Sequence, residues 1–184
     1  MKIRLAAYLQ TDSIVDGEGI RTVIWTQGCP HNCNGCHNPE TWNTSGGALV
    51  EVSDLLNEID LIEGQAGITF SGGEPFLQPK ECAYVAKCIK DKGLNVWCYS
   101  GYTFEELMKM AIKNKDILDF LKCIDVLVDG KFEIDKRSYS KIFAGSSNQR
   151  ILNVPSSLKK KRAVLVAKYK NHQKATNMRE GIYV

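Results

Sequence analysis

The sequence predicts an α/β fold: a partial, open barrel of β/α units with mostly parallel strands. Strand-like runs of β-branched and aromatic residues alternate with amphipathic helical segments, the pattern of parallel strands joined by right-handed crossovers. Three segments rich in chemistry begin after Thr26, Phe70 and Val128, each at the carboxyl end of an expected strand, where such folds place active groups. The chain has 184 residues, whereas a closed eight-unit barrel uses about 250, so the barrel must be incomplete and open on one side.

Ile3 to Tyr8 and Thr22 to Thr26 read as strands, and a long loop from Gln27 to Gly47 follows. Ser53 is a plausible cap for a helix to Ile62 that carries Leu55, Leu56, Ile59 and Ile62 along one face. Gln65 to Phe70 forms a short buried strand, and Pro79, at a first-turn position, opens a helix to Lys92. A strand covers Asn95 to Ser100, and Thr103-Phe104-Glu105-Glu106 has the T-x-x-E form of a capping box that starts the next helix. Asp116 to Lys122 continues as helix, Ile124 to Val128 is an apolar strand bounded by Asp129-Gly130, and Arg150 to Val154 is a candidate last strand. No repeat, low-complexity block or linker divides the chain.

With 43% apolar and 24% charged residues, the composition is that of one soluble domain with enough material for a core. A net charge of +3 gives no sign of a nucleic-acid partner. The charge is uneven: residues 159–184 carry eight Lys or Arg against one acidic residue. The domain is therefore expected over residues 1–158, with a basic, partly disordered tail at 159–184 in which Ala163 to Ala167 is a candidate short strand. No run has the length of a membrane span or a signal-peptide core, so a cytoplasmic protein is expected. Seven cysteines, an odd number, do not suggest a secreted disulfide framework. Cys82, Cys88, Cys98 and Cys123 are scattered through expected helices and strands and read as small buried apolar residues.

The other three, Cys29, Cys33 and Cys36, form a C-x3-C-x2-C triad within eight residues. Each of the four irons of a cubane cluster takes one outside ligand, so three thiolates leave one iron open to a substrate. The triad alone also admits a zinc site completed by His31 or His37, although both lie so close to the thiols that a tetrahedral wrap would be strained. About forty residues on, Ser71-Gly72-Gly73-Glu74-Pro75 follows a strand. Its two glycines allow a ligand to approach bare backbone, while Glu74 offers a carboxylate to a cation. By itself this is equally a tight strand-to-helix turn.

Together the two motifs resemble the radical S-adenosylmethionine (SAM) superfamily. The unbroken stretch from Asp16-Gly17-Glu18-Gly19-Ile20-Arg21 through Gly28-Cys29-Pro30 to His37-Asn38-Pro39-Glu40-Thr41-Trp42 is similar to the glycyl-radical-enzyme activases. Ile124 to Phe132 and Gly145 to Ile151 are most similar to the branch that serves anaerobic ribonucleoside-triphosphate reductases. The resemblance covers roughly residues 5–155 and implies the open barrel of the radical SAM type.

The resemblance also implies roles. Cys29, Cys33 and Cys36 would hold a [4Fe-4S] cluster whose open iron is chelated by the amino and carboxylate groups of SAM. Gly72, Gly73 and Glu74 would receive the methionine ammonium, with Pro75 stiffening the turn. Lys131 is a candidate for the SAM carboxylate, and Asp129 would fix that lysine or a cation; equally, the two could form an ion pair at a surface turn. The superfamily often has an aromatic residue before the third cysteine, where this chain has Gly35, so adenine contacts would come from Gly35 and Cys36 backbone or from His37. Arg21 and Asn148-Gln149-Arg150 could serve SAM, a partner or the fold. The implied reaction is reductive cleavage of SAM, with the 5′-deoxyadenosyl radical taking an α-hydrogen from a glycine-bearing loop of the reductase. The electron would come from a low-potential donor such as flavodoxin or ferredoxin. Activation of another glycyl radical enzyme, such as pyruvate formate-lyase, and a non-enzymatic zinc or electron-transfer module remain open alternatives.

Overall fold

In the computed structural model of the protein, which describes residues 1–170, the apolar runs resolve into eight strands. These are β1 (Lys2–Leu5), β2 (Gln10–Ser13), β3 (Arg21–Thr26), β4 (Ala48–Glu51), β5 (Gly67–Gly72), β6 (Asn95–Ser100), β7 (Val126–Asp129) and β8 (Arg150–Asn153). Five helices accompany them: α1 (Val52–Asp60), α2 (Pro79–Asp91), α3 (Phe104–Ala111), α4 (Lys115–Cys123) and α5 (Val154–Lys160).

All eight strands join one sheet in the order β4-β1-β3-β5-β6-β7-β8, with β2 also paired to β3. The central strands β3, β5, β6 and β7 are parallel, as the alternation with helices requires. The flanks are antiparallel: β1 against β3 and β4, β2 against β3, and β8 against β7. The expectation of mostly parallel strands therefore holds for the centre of the sheet and not for its margins. β4 and β8 stand at opposite ends of the order without pairing to each other, so the sheet is not closed.

Strand alternation divides the sheet into two faces. Ile24, Ile68, Phe70, Val96, Cys98, Leu127 and Leu152 pack against the helices in the main core. Phe120 of α4 lies between Phe70 of β5 and Phe76, at ring separations of 5.2 and 4.8 Å; burying a side chain of this size contributes about 1.5–3 kcal/mol. The other face is more polar. Arg21, only 1% exposed, donates to Thr69 Oγ1 and the Ile68 carbonyl at 2.7 Å, and to the Asn95 carbonyl at 3.1 Å. It is a structural residue that ties β3 to β5 and β6. Burial pulls its guanidinium down to about 10, still protonated at neutral pH.

The helix ends follow local chemistry. Thr103 and Glu106 form the expected reciprocal capping box at α3, so Thr103→Ala is expected to cost about 1 kcal/mol in a urea denaturation measurement. Pro155 stands at the start of α5, where the Asn153 side chain accepts from Ser156 N at 2.8 Å. The strand read from Arg150 to Val154 thus gives way to a helix at Val154. Cys82 and Cys98 are buried as expected, but Cys88 and Cys123 are only half-buried.

Of the basic tail, residues 159–170 are described. Val164 and Val166 hydrogen-bond along β8 through Asn153 and Ile151, forming a bridge at Leu165 rather than a full strand. Tyr169 is buried against Trp97 and Phe143 and donates to Glu18 at 2.9 Å. Residues 171–184 lie outside the described residues. Among the described residues no helix is long and apolar enough to cross a membrane.

Candidate active site

Because the four central strands are parallel, their carboxyl ends open on the same side, and a cavity of about 300 Å³ lies there. Trp25, Ser71 and Tyr99, the last inward-facing residues of β3, β5 and β6, line it. Cys29, Cys33, Cys36 and His37 come from the loop after β3, Gly72 and Gly73 from the end of β5, and Gly101 and Gly130 from the ends of β6 and β7. His31, Asn38 and Ser100 border it as well, with Asp16, Phe132, Gly145 and Gln149. Two sequence motifs forty residues apart therefore share one site.

The cysteine loop is tied at its base. Gln27 Nε2 donates to the carbonyls of Asn43 (2.7 Å) and Glu40 (3.1 Å). Gly28 N and Cys29 N donate to the Thr41 and Trp42 carbonyls. At its tip Cys36 N donates to the Cys33 carbonyl, and Asn38 N lies 3.4 Å from Cys36 Sγ. All three thiols are half-buried and unpaired. Burial pushes the Cys29 thiol up to about 11 and raises that of Cys33, so metal binding must release their protons.

The donor set fits an iron–sulfur cluster: three soft thiols border one cavity, with no fourth thiol beside them among the described residues. His31 Nε2 is committed to Glu74 at 2.8 Å, and the His37 ring packs beside Phe132 at 5.1 Å. Among the described residues no three His, Cys, Asp or Glu are already drawn together as a metal site.

The glycine turn is built into the same loop. Gly73 N donates to the Thr26 carbonyl and Glu74 N to the Gly28 carbonyl, both at 2.8 Å. A Cβ on Gly73 would lie 2.3 Å from Gly28 O, so only glycine permits this approach. Gly73→Ala should displace Gly28, destabilise the protein by about 1–3 kcal/mol and lower its iron content after anaerobic loading, both measurable on one preparation. Pro75 is buried and opens a single helical turn.

Glu74 is placed differently from the expectation that it meets the ligand. Its carboxylate is fully buried and accepts from Phe76 N (3.1 Å), Ser100 Oγ (2.9 and 3.0 Å), Gly101 N (2.9 Å) and His31. Those donors occupy the lone pairs a carboxylate has, and Glu74 does not line the cavity.

Asp129 and Lys131 border one groove beside the cavity, with Arg150, and Asp129 pairs with Arg150 rather than with Lys131. β7 ends at Asp129 and Gly130 adopts a φ of +100°, so the strand alternation that would put the two on one face stops there. Asp129, fully buried, accepts from Phe104 N at 2.7 Å and from Arg150 Nε and Nη2 at 2.9 and 2.6 Å. Lys131 is exposed and lines a neighbouring groove with Glu106, Glu133 and Asn148. Gln149 does reach the cavity and folds its own loop, donating to the Gly130 carbonyl and accepting from Gly145 N and Ser146 N. Gly35 has a φ of +72° and a Cβ there would meet Ile134 at 2.8 Å, so an aromatic residue does not fit; His37 and Phe132 offer ring surface in its place.

Residues 15–152 match the family described as a 4Fe-4S single cluster domain. The chain is 38% identical over 155 residues to the anaerobic ribonucleoside-triphosphate reductase-activating protein of Pasteurella multocida (strain Pm70), covering 78% of this chain and 93% of that protein. The chain belongs to the activating-protein family. The Escherichia coli (strain K12) member of the same name is 34% identical over 145 residues, 74% of this chain and 90% of that protein. The pyruvate formate-lyase-activating enzyme of Clostridium pasteurianum is 37% identical over 131 residues, 63% of this chain and 55% of that enzyme. Family membership makes the chain an activating enzyme with an iron–sulfur cluster domain.

Asp16, Trp25, Tyr99 and Phe132 line the cavity although no motif role points to them. For Trp25 and Tyr99 a signal exists: each is the last inward residue of a strand that ends at the site, on the face that also carries Arg21 and Trp97.

Proposed function

We propose that the protein activates an anaerobic ribonucleoside-triphosphate reductase by generating a glycyl radical on it from SAM. The observation that carries this is the convergence of three thiols and the glycine-bearing ends of three strands on one cavity. Cys29, Cys33 and Cys36 would hold the cluster. When bound, a [4Fe-4S] cluster with one open iron supplies the electron that cleaves SAM into methionine and the 5′-deoxyadenosyl radical, which takes the glycine α-hydrogen. The bare backbone of Gly72 and Gly73 gives the methionine end room beside the thiols. His37 and Phe132, together with the backbone of Gly35 and Cys36, offer a wall for adenine. Trp25 and Tyr99 close the floor against water. Lys131, on the adjoining groove, is within the reach of its own chain to a carboxylate or to the partner. The open edge of the sheet suits a substrate that is a loop of another protein, and a low-potential flavodoxin or ferredoxin would supply the electron.

The test is anaerobic loading with iron and sulfide, then strong reductant and SAM, with 5′-deoxyadenosine measured. The reductase is added last and its glycyl radical sought by electron paramagnetic resonance. Nucleoside formation with a radical on the reductase is the expected result; uptake of zinc in place of a cluster would overturn the reading. The likeness to the Clostridium pasteurianum enzyme supports a second partner class, and pyruvate formate-lyase substituted in the same assay decides between them.

A further inference from the structure

The three residues between the first two cysteines, Pro30, His31 and Asn32, make one hydrogen bond to the body of the protein among the described residues: His31 Nε2 to Glu74 Oε2 at 2.8 Å. His31 is not an incidental surface residue. Its side chain is 5% exposed and that of Glu74 is fully buried. The ring stands edge-on to Tyr102 at 4.4 Å. It also occupies the space over Gly101 where a Cβ would lie 2.3 Å from the imidazole, so the glycine that follows β6 leaves room for the ring. Asn32, immediately after, has a φ of +46°, which turns the chain sharply once the histidine has docked.

Glu74 presents that anchor from the turn after β5, and Ser100 and Gly101 hold it from the end of β6. The carboxylate is therefore held by β6 as well as by its own turn, apart from the loop tip that it receives. From this geometry we infer that His31 is a positioning residue. Its bond to Glu74 latches the cysteine loop in register with the Gly72-Gly73 backbone, setting the distance between the metal-binding and SAM-binding halves of the cavity before either ligand arrives. The inference rests on the functional reading above for its ligands, but the latch itself is a property of the metal-free chain. It also gives Glu74 a role: the carboxylate orients the loop from behind.

Two measurements separate the latch from that reading. In metal-free protein, exchange of the Cys29 and Cys36 amides, which donate to the Trp42 and Cys33 carbonyls, should quicken about tenfold or more in His31→Ala, with little change in β5 and β6. Gly101→Ala, which alters no hydrogen-bonding side chain but evicts the ring, should do the same. His31→Gln, which keeps an N–H donor for Glu74, should return exchange toward wild type. In anaerobically loaded protein the same variants should lose iron to a chelator correspondingly faster, and their reduced-cluster resonance spectrum should shift less on adding SAM than that of the wild type. Thr103→Ala loosens the cap of α3 without touching His31 or Glu74, and loop exchange should stay near wild type. If His31→Ala leaves loop exchange unchanged, or if Thr103→Ala loosens the loop equally, the latch is overturned. If exchange responds as expected while the wild type takes up no cluster, the latch stands and the functional reading falls.

Discussion

Alanine in place of Cys29, Cys33 or Cys36 is expected to reduce 5′-deoxyadenosine formation to the level of a protein-free control, a loss of several orders of magnitude. Each thiol borders the cavity, and among the described residues no cluster of three His, Cys, Asp or Glu stands ready as an alternative ligand set. Two remaining thiolates cannot hold a cubane cluster as three do. Cys88→Ala supplies the comparison, since Cys88 lies half-buried on α2, outside the cavity, and should leave iron uptake and cleavage unchanged. Iron content, visible absorption and product assay on the four variants decide the ligand set. Full activity in any triad variant would contradict it.

The largest expected effect on stability is at Arg150. Arg150→Ala would strand the Asp129 carboxylate, which is fully buried, with Phe104 N as its remaining donor. Removing one partner of a buried ion pair typically costs about 3–5 kcal/mol, measurable as a fall in urea midpoint at unchanged slope. Glu105 is the contrast. It also meets Arg150, at 2.6 Å, but is half exposed, so Glu105→Ala should cost no more than about 1 kcal/mol. The Arg150 hydrogen bond holds the Glu105 carboxyl below the ordinary value. Its small contribution is therefore present at neutral pH, above the unfolded value, and is lost as pH falls through the depressed one. Arg150→Ala should flatten that part of the acid dependence.

How far the sequence reveals this molecule depends on which signal each part uses. Hydrophobic period and turn chemistry expose the central strands and their helices: β6 runs from Asn95 to Ser100 as the pattern indicates, and Thr103 caps α3. The margins are less legible. β2 is Gln-Thr-Asp-Ser, four mostly polar residues with no apolar face to detect, and it becomes a strand only because β3 offers an edge. β4, four residues running directly into α1, lacks the punctuation that would separate it. In the site, spacing brings forward the cysteines and Gly72-Gly73. Side-chain direction is harder to foresee. Glu74 and Asp129 are carboxylates beside a site, yet both turn inward to backbone amides and to a cationic or imidazole partner. Nothing local distinguishes a carboxylate that meets a ligand from one that holds the wall behind it.

The three cysteines proposed as ligands fall within eight consecutive residues of one loop, whereas the core is assembled from β3, β5, β6, β7 and the helices behind them. Closing so short a loop around a metal removes little chain entropy, and the cluster fastens no two distant elements to each other. Damage by oxygen should therefore be local: a protein stripped of its iron keeps its scaffold and can be refilled. The vulnerable cofactor is thereby a replaceable part, and repeated exposure to air would be survived by reloading the same chain rather than by synthesising a new one.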